Sequence, residues 1–244
     1  TDGLEMGNVW YNEPNDLDTT FDVISDITLS AASQQYGGFT LPEIDKVLGR
    51  YAEKSYLKYY NEYKEDAAEL LNALHIKFLK KVFNPIVSKL GDKKATKKVR
   101  REFEQGFQGW EYKFNTVASS RGDYPFIAMS FGVGTNKWEV MASEIALKVR
   151  MKGQGKKGFK KPVLFPKLTF LYDENLHGEG KEFEWLFDVA IECSSKCMYP
   201  DFLSLTGDGY IPSMYKKYGK VVSLMGKLYC SSIKNLVNLT KGCA

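Results

Sequence analysis

The sequence is poor in the residue types that announce common enzyme sites. It has 244 residues with two histidines and four cysteines. His75 falls inside a helical stretch and His177 in a glycine-rich turn, so neither sits in a recognisable triad. There is no P-loop lysine motif and no H-E-x-x-H pair. Cys193, Cys197, Cys230 and Cys243 are too few for a disulfide framework in a chain this long. Cys193 and Cys197 share a helix face, but two thiolates make a poor zinc site, and a closed set would need Cys230 and Cys243 from a distant segment. No metal is therefore expected, and the two thiols read as small buried apolar groups. No run of about 18 apolar residues exists, which excludes a membrane-spanning helix. No signal-peptide pattern opens the chain, and the expected location is the cytoplasm. A net charge of +4 is too small to imply nucleic acid, and none is expected as a partner.

What is present reads as an ordinary globular domain, 43% hydrophobic and 26% charged. Asp18 can cap a helix carrying Phe21, Ile24, Ile27 and Ala31 that ends near Gln35, before Gly37 and Gly38. Thr40-Leu41-Pro42-Glu43 reads as a capping box with proline in the first turn, predicting a long helix to Asn84-Pro85. Val99, Phe103, Phe107, Trp110, Phe114 and Val117 recur at helical spacing and predict a partner helix over about 93–118. Together these form an antiparallel hairpin over 40–118, closed by a Gly- and Lys-containing loop. The cluster Lys89, Lys93, Lys94, Lys97, Lys98, Arg100 and Arg101 is either a solvated face or a site for phosphates or acidic partners.

From residue 120 the pattern changes. Tyr124–Val133 predicts a buried strand, Asn136 caps a helix, and Pro162–Tyr172 predicts a second strand with Pro166 at an edge or bulge. A helix over 181–198 and a third strand from Val221 follow. Alternating strands and helices imply an α/β sheet. Gly153-Gln154-Gly155-Lys156-Lys157-Gly158 fits the dinucleotide-loop spacing, but a helix precedes it and a strand follows, the reverse of what phosphate binding needs, so a basic loop is the better reading.

Three segments are more unusual than their elements require: Ala32-Ser33-Gln34-Gln35-Tyr36-Gly37-Gly38, Ser130-Phe131-Gly132-Val133-Gly134-Thr135-Asn136, and Met198-Tyr199-Pro200-Asp201. Strand ends and helix starts are where α/β proteins hold ligands, and these donors suit a phosphorylated, hydroxyl-bearing molecule. Plain turn chemistry explains the same spacing equally well.

Those segments, with Met6-Gly7-Asn8, Tyr51-Ala52-Glu53, Phe165-Pro166-Lys167-Leu168, Glu192-Cys193, Val222-Ser223 and Met225-Gly226, resemble the anaerobic (class III) ribonucleoside-triphosphate reductases in order over about 3–226. The resemblance implies a ten-stranded α/β barrel of the glycyl-radical type, of which 1–226 would be an interior part: the hairpin at 40–118, then barrel strands and helices at 120–226. It implies reduction of ribonucleotides with formate, and substrate-lining positions at Ser33, Gln34, Gln35, Tyr36, Gly37, Ser130, Gly132, Ser223, Met225 and Gly226. Ribonucleoside triphosphates, nucleotide effectors, a radical S-adenosylmethionine activating enzyme and a second copy of the chain are the implied partners. The glycyl radical and zinc site belong to family segments outside this stretch, so no cofactor is expected here. The family's thiyl cysteine follows Met-Gly; this chain has Lys227 there and Leu224 where the family has proline. No catalytic residue is therefore expected, 227–244 is expected to be an unrelated tail, and an intron-like interruption or a frameshift would explain it. The expected function is part of a reductase, inactive alone. The alternative is a non-catalytic nucleotide-binding or dimerisation module left by truncation.

Overall fold

The computed structural model describes residues 4–6, 9–34, 38–73, 80–118, 122 and 124–221. A short antiparallel pair, β1 (Leu4–Met6) and β2 (Val9–Tyr11), leads into helix α1 (Leu17–Gln34). The chain continues through β3 (Phe39–Leu41), α2 (Ile44–Ala73), α3 (Lys80–Thr116), β4 (Ile127–Phe131) and α4 (Lys137–Lys152). Then come β5 (Lys167–Tyr172), α5 (Glu174–His177), α6 (Glu184–Cys197), β6 (Asp201–Ser204) and α7 (Tyr210–Tyr218). Strands β3, β4, β5 and β6 form one parallel sheet in chain order.

The register separates the two faces of this sheet. Phe39 with Ile127, Leu41 with Met129 and Leu168, and Phe131 with Phe170 lie in rows on one face. All seven join the main apolar core with Phe21, Leu48, Phe103, Trp110, Phe114, Ile145 and Leu186 from the helices. The rows between them are Thr40 with Ala128 and Lys167, and Ser130 with Thr169 and Asp201. Thus helices cover one face; the other carries small or polar side chains as far as Ser130 and Thr169, and then Leu171, which joins Val133, Leu205 and Val221 in a second, smaller apolar cluster.

Helices α2 and α3 pack antiparallel. Lys94 lies over Tyr63, Lys98 over Tyr59, and Ser55 hydrogen-bonds Glu102, a steady countercurrent of positions. The aromatic stripe of α3 packs on α1: Phe21 meets Phe103, Phe107 and Trp110 edge-on, and the Trp110 indole N–H donates to the Phe21 carbonyl at 2.8 Å. Val117 falls past the helix end and is exposed.

Five expectations change. Asp18 does not cap the first helix: it lies inside α1, and Asp16 Oδ1 accepts from the Thr19 N–H at 3.0 Å. Thr40 does not cap a helix; it lies in β3, and α2 starts at Ile44. All three β3 residues are buried against β4, and sheet burial outweighs a local capping pattern. The helix does not run unbroken to Asn84-Pro85: α3 already begins at Lys80 and contains Pro85, so the loop expected over 84–92 is helical. The connection between the helices falls in 74–79, outside the described residues. The second strand starts at Lys167, after Pro166 rather than around it. Val221 is described and buried but not in a strand, and the strand expected beyond it lies outside the described residues.

A buried ion pair ties the layers together. Arg150 of α4 donates from Nε to Glu111 of α3 at 2.8 Å and from Nη2 to the Pro166 carbonyl at 2.7 Å. Glu111 also accepts from the Gln154 amide at 2.6 Å. Both charges are buried, so the pair anchors the approach to β5. The basic cluster of α3 is a helical surface: Lys98 faces Glu62 and Arg100 makes a two-pronged pair with Glu144.

Candidate functional site at the carboxyl ends of the strands

In parallel sheets, ligands bind beyond the carboxyl ends of the strands. Here three of those ends are wired to one another. The link is the turn leaving β4, Ser130 to Asn136.

Gly132 has φ of +123°, a region that favours glycine, and a Cβ there would meet the Leu171 carbonyl oxygen at 2.9 Å. Its N–H donates to Asp45 Oδ2 at 2.9 Å, and the Gly134 N–H donates to the same oxygen at 3.0 Å. The Ser143 hydroxyl reaches that oxygen at 3.3 Å, and the Lys46 N–H donates to Oδ1 at 3.0 Å. Asp45 is fully buried at the start of α2. Burial pushes its carboxyl up to about 6, against the pull of the N–H groups of Gly132, Gly134 and Lys46.

The carbonyl of Gly132, in the next peptide group, is held by His177. The Asp173 N–H donates to Nδ1 at 3.1 Å, so the ring hydrogen sits on Nε2, which donates to the Gly132 carbonyl at 2.9 Å. The ring is buried beside Phe170 and Tyr172, and burial holds its pKa below the usual histidine value. Ser130, one pleat back, accepts from the Glu43 N–H at 3.1 Å. Glu43 itself has φ of +46°, the strained bend that turns β3 into α2.

The helix start beside this turn is internally satisfied. Asn136 Oδ1 accepts from the Trp138 N–H at 3.0 Å, and Glu139 Oε2 accepts from the N–H groups of Thr135 and Asn136 at 3.0 and 3.1 Å. This is the capping box that Asn136 signalled. Its donors hold the turn together and do not point to a ligand.

Of the sequence-predicted lining residues, Ser130 and Gly132 come together at this site. Ser33 lies exposed in the last turn of α1 and donates to the Ser30 carbonyl at 2.7 Å; Gln34 is the last residue of that helix. Gln35, Tyr36, Gly37, Ser223, Met225, Gly226 and Lys227 lie outside the described residues. Asp45 and Thr169 were not signalled by any motif, and Thr40 was signalled only as a helix cap. His177 was, only as a residue in a glycine-rich turn, and it proves to be buried.

The described cysteines stand elsewhere. Cys193 and Cys197 are buried under α4, with their thiols toward the Leu147 and Arg150 carbonyls at 3.6 and 3.7 Å. Burial pushes Cys193 up to about 12, so it stays a neutral thiol. Among the described residues no group of three or more His, Cys, Asp or Glu could hold a metal ion.

A family model described as anaerobic ribonucleoside-triphosphate reductase matches residues 1–235, a span that includes Lys227 and Cys230. The chain is 33% identical over 206 residues to the anaerobic ribonucleoside-triphosphate reductase of Enterobacteria phage T4, covering 83% of this chain and 30% of the phage protein. It is 34% identical over 203 residues to that of Haemophilus influenzae and 32% over 209 residues to that of Escherichia coli, covering 83% and 84% of this chain and 26% of each relative. The chain thus spans less than a third of the length of these relatives. The sheet with one covered and one polar face, the wired strand ends and these matches lead to one conclusion: the chain belongs to the anaerobic ribonucleoside-triphosphate reductase family.

Proposed function

We propose that this chain builds part of the wall of a ribonucleotide-binding chamber in an anaerobic ribonucleoside-triphosphate reductase. The observation that carries this reading is the polar sheet face, Thr40, Ala128, Ser130 and Thr169, backed by an unbroken apolar helix layer. In this reading β3 to β6 are consecutive strands of a ten-stranded barrel, residues 1–226 are an interior part of its catalytic domain, and the small side chains face inward. Short hydroxyl-bearing residues leave room for a nucleotide and supply hydrogen bonds to its ribose and phosphates. The helix layer keeps water from the chamber, which radical chemistry on a sugar requires.

The chain's own part is binding and shielding. Lys227, at the position the resemblance gives to the thiyl cysteine, has no sulfur with which to take the ribose 3′ hydrogen. Cys193 and Cys197 lie behind the sheet among the helices and do not serve that role. The glycyl radical, the formate reductant and the activating enzyme belong, in this reading, to the wider assembly, in the cytoplasm. The described residues do not fit the family's zinc site, and no step runs through it.

The outer hairpin favours a second role, contact with another copy. Leu57, Leu70, Ile86 and Leu90 are all at least half exposed on α2 and α3. A non-catalytic nucleotide-binding or dimerisation module is the alternative this surface supports.

Anaerobic assay of the chain with ribonucleoside triphosphates, formate and activating enzyme is expected to give no deoxynucleotide above background. Equilibrium dialysis is expected to show ribonucleoside triphosphate binding that weakens in Ser130→Ala and Thr169→Val. Binding unchanged by both substitutions, or none at all, would sink the chamber-wall reading.

A further inference from the structure

We infer that Asp45 and His177 are a pair of positioning residues that clamp the backbone of Gly132, one at its N–H and one at its carbonyl, and thereby set the Ser130 end of the chamber wall. The inference deepens the functional reading above and rests on it for what the wall binds.

The geometry is specific. One residue, Gly132, has its N–H on a fully buried carboxylate and its carbonyl on a fully buried imidazole, at 2.9 Å each, so the two successive peptide groups that flank it are both held. Asp45 comes from the start of α2, beyond β3; His177 comes from α5, beyond β5; Gly132 leaves β4 between them. The clamp therefore spans three adjacent strand ends. Neither residue is demanded by packing alone. A buried carboxylate is expensive, and an apolar side chain of similar size would fill its place more cheaply. Its oxygens are instead spent on four donors, two of them from the Gly132–Gly134 turn. His177 likewise takes one fixed tautomer, set by the Asp173 N–H.

The turn has little freedom once clamped. A Cβ at Gly132 would strike the Leu171 carbonyl, and one at Gly134 would come within 2.4 Å of Glu139 Cβ and 3.0 Å of Asp45 Oδ2. The turn's position is carried to the polar face through Ser130, two residues back on the same strand face and tied to Glu43 N–H, two residues before Asp45. Small displacements at Asp45 and His177 thus reach the wall without either side chain touching ligand.

The test uses the whole 244-residue chain and the variants Asp45→Asn, His177→Phe and His177→Gln. Phenylalanine keeps the ring packing on Phe170 and Tyr172 but loses the donor; glutamine keeps a donor. Amide hydrogen exchange at Gly132 and Gly134, read by NMR, is expected to speed up about tenfold or more in Asp45→Asn and, at Gly134, in His177→Phe, with amides of α3 unchanged. In wild type the His177 nitrogens should show hydrogen on Nε2. ATP and CTP affinity, measured on folded protein, should fall about tenfold in Asp45→Asn and His177→Phe and return with His177→Gln. A merely structural role would lower thermal midpoints and leave affinity of the folded chain and the glutamine rescue without effect. Unchanged exchange at both glycines in both variants overturns the clamp. If wild type binds neither nucleotide, the functional reading fails by itself, and the exchange result still decides the clamp.

Discussion

The two faces of the parallel sheet are built by opposite rules. On the covered face Phe39, Leu41, Ile127, Met129, Phe131, Leu168 and Phe170 are large, apolar and buried, and aromatic rings from α1, α3 and the strands interlock. On the other face the same strands carry the small side chains Thr40, Ala128, Ser130 and Thr169, the first three of them buried and three of the four bearing hydroxyls, with Leu171 beyond them. Large apolar residues return on that face at Leu171 and Leu203, which pack with Val133, Leu205 and Val221 in a second, smaller cluster. The difference separates what folds the chain from what the chain is for, and substitutions on the two faces should separate stability from binding in the same way.

The largest effects belong to the covered side. Phe114→Ala leaves a cavity among fully buried rings and should cost about 3–5 kcal/mol in chemical denaturation. Arg150→Ala strands the Glu111 carboxylate in the core and should cost a similar amount, about 3–5 kcal/mol. If either variant unfolds at the wild-type denaturant midpoint, the helix layer is not the source of stability.

A smaller effect marks the boundary between the faces, and pH reads it. Asp45 binds its proton more tightly folded than unfolded, at about 6 against an ordinary value of 3.8. Its stabilising contribution is thus present below about pH 4 and lost as pH rises through 6. At about 1.36 kcal/mol per pH unit the whole change is about 3 kcal/mol. The stability of wild type relative to Asp45→Asn should therefore decline between pH 4 and 7. His177 has the opposite sign, because burial lowers its pKa: its contribution is present above its ordinary value of 6.5 and lost as pH falls. Relative to His177→Phe, wild type should lose stability on acidification. A flat difference in either series contradicts the assigned burial.

The smallest stability effects should come from the polar face. Ser130→Ala removes the acceptor for the Glu43 N–H and should cost about 1–3 kcal/mol if that amide is left unpaired, while Thr169→Val, half-exposed, should cost under about 1 kcal/mol. Both should weaken nucleotide binding more than the covered-face variants do in their folded fraction.

Local signals were legible in the sequence, and distant ones were not. Asn136 caps α4 as its sequence position signalled, and the structure adds Glu139, three residues on, as the other half of a capping box. The stripe from Val99 to Phe114 declared α3 because its period is a property of one segment. β3 was hidden for the opposite reason: three residues become a strand only beside Ile127–Met129, and Thr40-Leu41-Pro42-Glu43 imitates a helix start. Ser130 and Gly132 stood out by composition. Asp45 did not, as one of 30 acidic residues, because its partners lie 87 to 98 positions away. His177 carried no signal of its hold on Gly132, 45 positions earlier.

The most direct measurement of the central claim is a map of amide and methyl NMR shifts in the chain on titration with ribonucleoside triphosphates. The account predicts that the largest shifts fall at Thr40, Ala128, Ser130, Gly132 and Thr169, with the covered-face residues Phe103, Trp110 and Phe114 unmoved. Shifts concentrated instead on the outer surface of α2 and α3, with the polar face silent, would contradict it.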